Sequence, residues 1–241
     1  MIKESLMPHK IFVANRKRKK EGLIEEFGNA FFLDVTYSSD DEVLRTLSPM
    51  YPHGNVPVPF SSRKLVAKSL EGIWQGLKVF SNEGADFSWF CKFGDKGIKR
   101  VENLHGRGRI LGHQQGIYED RPLLNIIEAR SYIYAPVYKW ILKNNCKKAI
   151  DYIKQCLEKN DVVLLEAGNQ ADIRDVYTPL VHSELVRLFI EDLYPKCGIG
   201  NCWRAYSFDE HQNDILKRKE MKAERLRIKR EIEKQSLFSI T

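Results

Sequence analysis

Three polar side chains, Glu71, Gln75 and Lys78, recur at i, i+4 and i+7, a spacing that lines them along one side of a helix. Trp74, Gly76 and Val79 flank this row in place of the mixed charges of an ordinary exposed face. Gly76 costs about 1 kcal/mol in a helix relative to alanine, so a close approach of another backbone or a ligand is expected there. Two more acids, Glu166 at the end of the apolar run Asp161 to Glu166 and Asp172 in the following loop, have the layout of catalytic carboxylates and equally that of helix caps. Arg130 lies within the apolar row Leu123, Ile126, Ile127, Ile133, Tyr134, Val137 and Ile141. A guanidinium on a core face requires a carboxylate or a ligand.

The stretch His105 to Gly116 alternates glycine with Arg107 and Arg109 and includes His113. Its backbone amides could converge on a phosphate, or it is a plain loop, since its spacing fits neither the P-loop nor the dinucleotide fingerprint. Tyr51, His53 and Phe60 sit in the proline-rich segment 48–61, an extended rigid wall or a connector. Cys197 and Cys202 could join His182 or His211 on zinc, but half of a knuckle is missing. No metal or other cofactor is therefore expected. The five cysteines are odd in number and scattered, which suits free thiols in a reducing, cytoplasmic setting.

The elements that must hold these groups follow from periodicity. Strands are expected at 10–14, 30–37 and from 161, the last one central. Helices are expected at 66–81, from Asp120 with Pro122 in its first turn and a kink at Pro136, at 147–159, at 179–192 and at 213–235. The chain has 241 residues, 43% hydrophobic and 29% charged, the composition of a folded protein with one sizeable core. No apolar run reaches the roughly 20 residues of a membrane span. Of the net charge of +7, the run Arg16, Lys17, Arg18, Lys19 and Lys20 supplies +5, and residues 217–234, with Lys217, Arg218 and Lys219, supply another +5. Basic character thus resides in two appendages that could neutralise phosphates, or that are solvated faces. Trp203, Arg204, Tyr206 and Phe208 could stack on a base or pack beneath the terminal helix.

The segment Lys68 to Phe80, with Ser69, Glu71, Gln75 and Lys78, resembles the helix of the NADAR superfamily, Ser/Thr-x-Glu followed by Gln and then Lys. Ser48 to Phe60 with Tyr51-Pro52, Arg130 with Lys139 to Leu142, and Leu165-Glu166-Ala167 followed by Asp172 resemble three further motifs of that superfamily, in the same order. Asp172-Ile-Arg-Asp-Val stands where the family has Trp-Gly, so the likeness is to a divergent branch. It implies a helix-rich α+β domain over residues 31–209, between a basic N-terminal segment, 1–30, and a basic terminal helix, 210–241. It also implies hydrolysis of an N-glycosidic bond at ribose C1′. Members act on riboflavin-pathway intermediates or remove ADP-ribose from guanine in DNA.

On that resemblance Glu71 is expected to steady the sugar cation or activate water, with Glu166 or Asp172 as second acid or base. Gln75, Lys78 and Arg130 would hold the base edge or phosphate; Tyr51, Trp74, Trp89 or Trp203 would stack on a flipped base. Arg107, Arg109 and His113 complete the expected substrate contacts. The two basic runs make DNA the expected partner, as a target for removal of a modified base, for instance in phage defence, or of ADP-ribose. The alternatives are a free nucleotide or a riboflavin-pathway intermediate as substrate, or a nucleic-acid-binding module without catalysis.

Overall fold

The structure is a computed structural model that describes residues 9–61, 65–94, 106–168, 175 and 180–195. Its centre is a parallel sheet of three strands, β1 (Ile11–Asn15), β2 (Phe31–Asp34) and β7 (Val162–Glu166), in the order β1-β7-β2. β7 is the middle strand, as its unbroken apolar run predicts, and Val162, Val163 and Leu164 are inaccessible to solvent. Helix α1 (Lys20–Phe27) connects β1 to β2 and places Leu23 against Ala14, Ala30 and Val163. The run 16–20 is therefore no detached arm: its first residues continue strand β1, and its last open α1.

Helix α2 (Glu42–Arg45), capped by the Asp41 carboxylate, leads into the proline-rich segment. That segment contains a short strand, β3 (Val56–Pro57), paired antiparallel with β4 (Val66–Ala67). Helix α3 (Leu70–Gly76) is shorter at both ends than the periodicity predicts. Residues 66–67 belong to β4, and Lys78 opens β5 (Lys78–Phe80), which pairs with β6 (Ile110–His113). Ser69 Oγ starts the helix by accepting the Gly72 N–H at 3.0 Å. The glycines let α3 press onto the 3₁₀ turn Phe87–Cys91. A Cβ on Gly72 would lie 2.6 Å from the Trp89 carbonyl oxygen, and one on Gly76 would lie 2.7 Å from the Phe90 ring.

The helix expected from Asp120 begins later, as α4 (Ile126–Ala129), with a capping box between Asn125 and Glu128. Leu124 exchanges two backbone hydrogen bonds with His113, of 2.9 and 2.8 Å, and this bridge holds the preceding residues extended. Just before Pro136 there is a π-helical turn, Arg130–Tyr134, followed by α5 (Ala135–Asn144). The Ala135 amide reaches back to the Arg130 carbonyl. A wide turn lets the helix pass a proline that has no N–H to donate.

Helices α6 (Lys147–Leu157) and α7 (His182–Ile190) match the expected amphipathic segments. The main core joins Leu70, Ile73, Ile133, Tyr138, Ile141, Leu164 and Leu185, giving the α+β fold with a small sheet. Cys146 and Cys156 are buried and Cys91 is exposed, all three as free thiols. Among the described residues no helix is long and apolar enough to cross a membrane. The expected terminal helix, with Lys217, Arg218 and Lys219, lies outside the described residues, as do Trp203, Cys197, Cys202 and His211.

Candidate active site

The carboxyl ends of the three parallel strands, helix α3, hairpin β5–β6 and the π-helical turn surround a cavity of about 670 Å³, within the range of small-molecule sites. The carboxyl edge of a parallel sheet is a general place for ligands because the loops there diverge. Arg16 and Lys17 enter from the end of β1, Thr36, Tyr37 and Ser38 from the end of β2, and Glu166 from the end of β7. Helix α3 supplies Glu71, Trp74 and Gln75, the hairpin supplies Lys78, Ile110 and His113, and the π-helical turn supplies Arg130 and Tyr134.

The row predicted from spacing survives although Lys78 has left the helix. Lys78 Nζ donates to Gln75 Oε1 at 2.8 Å, and Gln75 Nε2 donates to Glu71 Oε1 at 2.7 Å. An ammonium can only donate, so it fixes which end of the Gln75 amide faces Glu71. Glu71 Oε2 accepts no hydrogen bond from the described residues. Glu71 therefore presents a half-free carboxylate at the cavity wall, held by a neutral partner and not by an ion pair.

Glu166 is held differently. Its Oε2 accepts from His182 Nδ1 at 2.8 Å and from the Ser183 amide at 3.2 Å, and His182 Nε2 reaches the Val35 carbonyl at 3.0 Å. A carbonyl and a carboxylate on the two ring nitrogens call for a donor at each, which is the imidazolium. Burial works against charge on both partners, but their attraction and hydrogen bond prevail, so the Glu166 carboxyl lies below and the His182 imidazole above its ordinary range.

Trp74 lies 4.0 Å centroid to centroid from His113 and meets Tyr134 edge-on at 5.5 Å. His113 has neither ring nitrogen hydrogen-bonded. Burial, and then the nearby Lys78 charge, push its pKa down to about 3, so the ring is neutral. Arg130 resolves its predicted burial by donating from Nη1 to the Asp175 carbonyl, which ties the loop after β7 to the π-helical turn.

Several expected contacts are not in the cavity wall. Tyr51 packs its ring on His53 at 4.9 Å, outside the lining. Arg107 pairs with Glu83 at 2.5 Å and Asp86 at 3.3 Å, and Arg109 is exposed away from the cavity. The glycine-rich stretch thus closes a turn instead of cradling phosphate: a Cβ on Gly108 would meet Ser81 Oγ at 2.0 Å. Trp89 is buried beneath Lys92. Arg18 pairs with Glu26, and Lys19 and Lys20 are exposed at the start of α1, outside the lining.

Asp172 lies outside the described residues. Among those residues no group of three His, Cys, Asp or Glu could hold a metal, and His182 is engaged by Glu166 and Val35. Sequence reasoning missed the pairing of His182 with Glu166, and also Tyr134, Tyr37, Thr36 and Ser38. Thr36, Tyr37, Ser38 and His182 share one signal, position, each following a strand end or opening a helix beside one; Tyr134 lies within a helical stretch.

Residues 15–186 match the sequence model of a family of unknown function, DUF6939. No curated protein and no solved structure matches the chain.

Proposed function

The chain belongs to the DUF6939 family, and we propose that it is an N-glycosidase that hydrolyses the bond between a sugar C1′ and a base nitrogen in a nucleotide. The observation that carries this reading is the half-free Glu71 carboxylate facing an aromatic-walled cavity. Cleavage leaves positive charge on the sugar ring, which a carboxylate near C1′ stabilises. Water adds its oxygen to C1′ as the C–N electron pair departs with the base. Glu71 takes a proton from that water and returns it to the leaving nitrogen, so the products are a sugar hemiacetal and a free base, and the carboxylate is restored.

Gln75 and Lys78 hold Glu71 in one orientation and keep positive charge near the departing base. Trp74 and Tyr134 offer a planar base an apolar wall. The imidazolium of His182, bound to Glu166, anchors the sheet side of the cavity. The motif resemblance to the NADAR superfamily points to the same bond.

A second reading, a nucleotide flipped out of DNA, is favoured by Lys17, Lys19 and Lys20, whose ammonium groups have no ion-pair partner among the described residues. The test is incubation with nucleoside monophosphates, ADP-ribose and plain, glycosylated or ADP-ribosylated DNA, followed by mass spectrometry. Base release by the wild type and none by Glu71→Gln supports the proposal, and the substrate that reacts selects between the two readings. Release of neither base nor sugar from any of them overturns it.

A further inference from the structure

The cations around the cavity are unequally committed. Lys78 donates to Gln75, Arg130 to the Asp175 carbonyl and His182 to Glu166. Arg16 and Lys17 at the carboxyl edge of the sheet are different. The Arg16 amide donates to the Glu166 carbonyl at 2.7 Å, which carries the strand pairing one residue past β1 and fixes where the side chain starts. Its Nη1 donates to Thr36 Oγ1 at 2.6 Å and to Ser38 Oγ. These hydroxyls are neutral, so they orient the guanidinium without cancelling its charge.

Asp34 forms an ion pair with Arg16 at 3.7 Å from Nη2, longer than a hydrogen bond and partly exposed, and does not line the cavity. Arg16 Nη2 and Nε therefore have no hydrogen-bond acceptor among the described residues. The Lys17 amide is held by Asn15 Oδ1 at 2.9 Å, while its ammonium has no partner among them. Tyr37, between Thr36 and Ser38, also lines the cavity, and its hydroxyl makes no hydrogen bond among the described residues. One part of the cavity thus gathers an oriented guanidinium, an uncommitted ammonium and a phenol. The aromatic wall of Trp74, His113 and Tyr134 comes from other elements, α3, the hairpin and the π-helical turn.

We infer that Arg16 and Lys17, with Tyr37 beside them, form a phosphate subsite at the carboxyl edge of the parallel sheet. The substrate would then be a phosphorylated nucleoside, its phosphate on the sheet side and its base against Trp74. This rests on the proposed N-glycosidase for the identity of the rest of the ligand, but the phosphate contact stands on its own geometry. A guanidinium beside an ammonium suits a phosphate, because the fork binds two oxygens and the ammonium a third. The phosphate could belong to a free nucleotide or to a DNA strand, and the shared chemistry is the same.

The test measures pyrophosphate binding by calorimetry to the full chain, to Lys17→Met, to Arg16→Met and to Lys148→Met, a surface change on α6. The expected result is binding by the wild type and Lys148→Met, weakened about tenfold or more by each of the other two and reduced by added salt. Lys17 is exposed, so its variant is expected to keep the wild-type melting temperature even if Arg16→Met does not. Stronger competition by a short oligonucleotide than by adenosine monophosphate assigns the phosphate to a strand, and the reverse order assigns it to a free nucleotide. No pyrophosphate binding at millimolar concentration, or equal binding by wild type and Lys17→Met, overturns the subsite. Pyrophosphate binding lost in the variants, with no base released from any nucleotide, would leave the subsite standing and remove the N-glycosidase.

Discussion

Helix α3 and the corner between β7 and α7 each bring a carboxylate to the same cavity, and they hold it in opposite ways. Glu71 has one neutral partner, Gln75, and one oxygen without a protein hydrogen bond among the described residues. Glu166 has a buried imidazolium and a backbone amide on one oxygen. A carboxylate locked in a buried ion pair is costly to protonate or to move. A carboxylate oriented by an amide is free to gain a proton or to face a cation. On the proposed reading Glu71 does the chemistry and Glu166 holds the architecture, a division that the shared label of acid at an element end does not show.

Substitution at the two acids should separate these roles. Glu71→Gln is expected to lower turnover about 1,000-fold while leaving the thermal midpoint close to wild type, which activity and melting measurements read together. Glu166→Gln should act on stability: it strands the buried His182 charge, at a cost of about 3–5 kcal/mol in denaturant unfolding. The double change Glu166→Gln with His182→Asn should cost less than the sum of the two single changes, because the stranded charge is gone.

The same contrast predicts a pH profile. His182 has a raised pKa, so its contribution is complete below its ordinary 6.5 and is lost as pH rises through the higher folded value. Glu166 has a lowered pKa, so its contribution is complete above 4.5 and is lost as pH falls through the lower folded value. The pair is fully in place between pH 4.5 and 6.5. His113 has the opposite slope. Its folded pKa of about 3 lies under the ordinary 6.5, so the unfolded chain gains a proton that the native chain refuses, and stability falls as pH drops across that span. Unfolding followed from pH 3 to 9 should show this acid limb flattened in His113→Gln, and the alkaline limb flattened in His182→Asn.

The smallest expected effect is at Arg107→Met, which removes the clamp to Glu83 and Asp86. Both acids are more than a third exposed, so solvent screening limits the loss to about 1 kcal/mol at most. Turnover should not change. A large loss of activity would return the glycine-rich stretch to the site.

The row Glu71, Gln75, Lys78 was legible because it rests on local periodicity, and it persists even though the helix stops at Gly76. β1, β7, α6 and α7 were legible for the same reason. What escaped depends on contacts distant in sequence. Asn15 pairs with Glu166 in the parallel register, and only that pairing turns Arg16 and Lys17 from an apparent appendage into a cavity wall. His182 meets Glu166 through the packing of α7 on the sheet, which no spacing encodes.

The glycines at 106, 108 and 112 left two readings open because positive φ serves a tight turn as readily as an anion cradle. Gly106 and Gly108 are held in a turn by Ser81 and Asn82 across the hairpin, while Gly112 lies within β6 against Leu123 and Leu124. Pro136 marked a disturbance in its helix, and the disturbance takes the form of a π-helical turn that displays Arg130 and Tyr134.

In the proposed reaction water adds at a sugar C1′ under the control of Glu71. Turnover of the reactive nucleotide in ¹⁸O-labelled water, read by mass spectrometry of both products, tests it directly. The account predicts one labelled oxygen on the sugar, none on the base, and no labelled product with Glu71→Gln. Label on phosphate, label on the base, or undiminished labelled sugar with Glu71→Gln would contradict it.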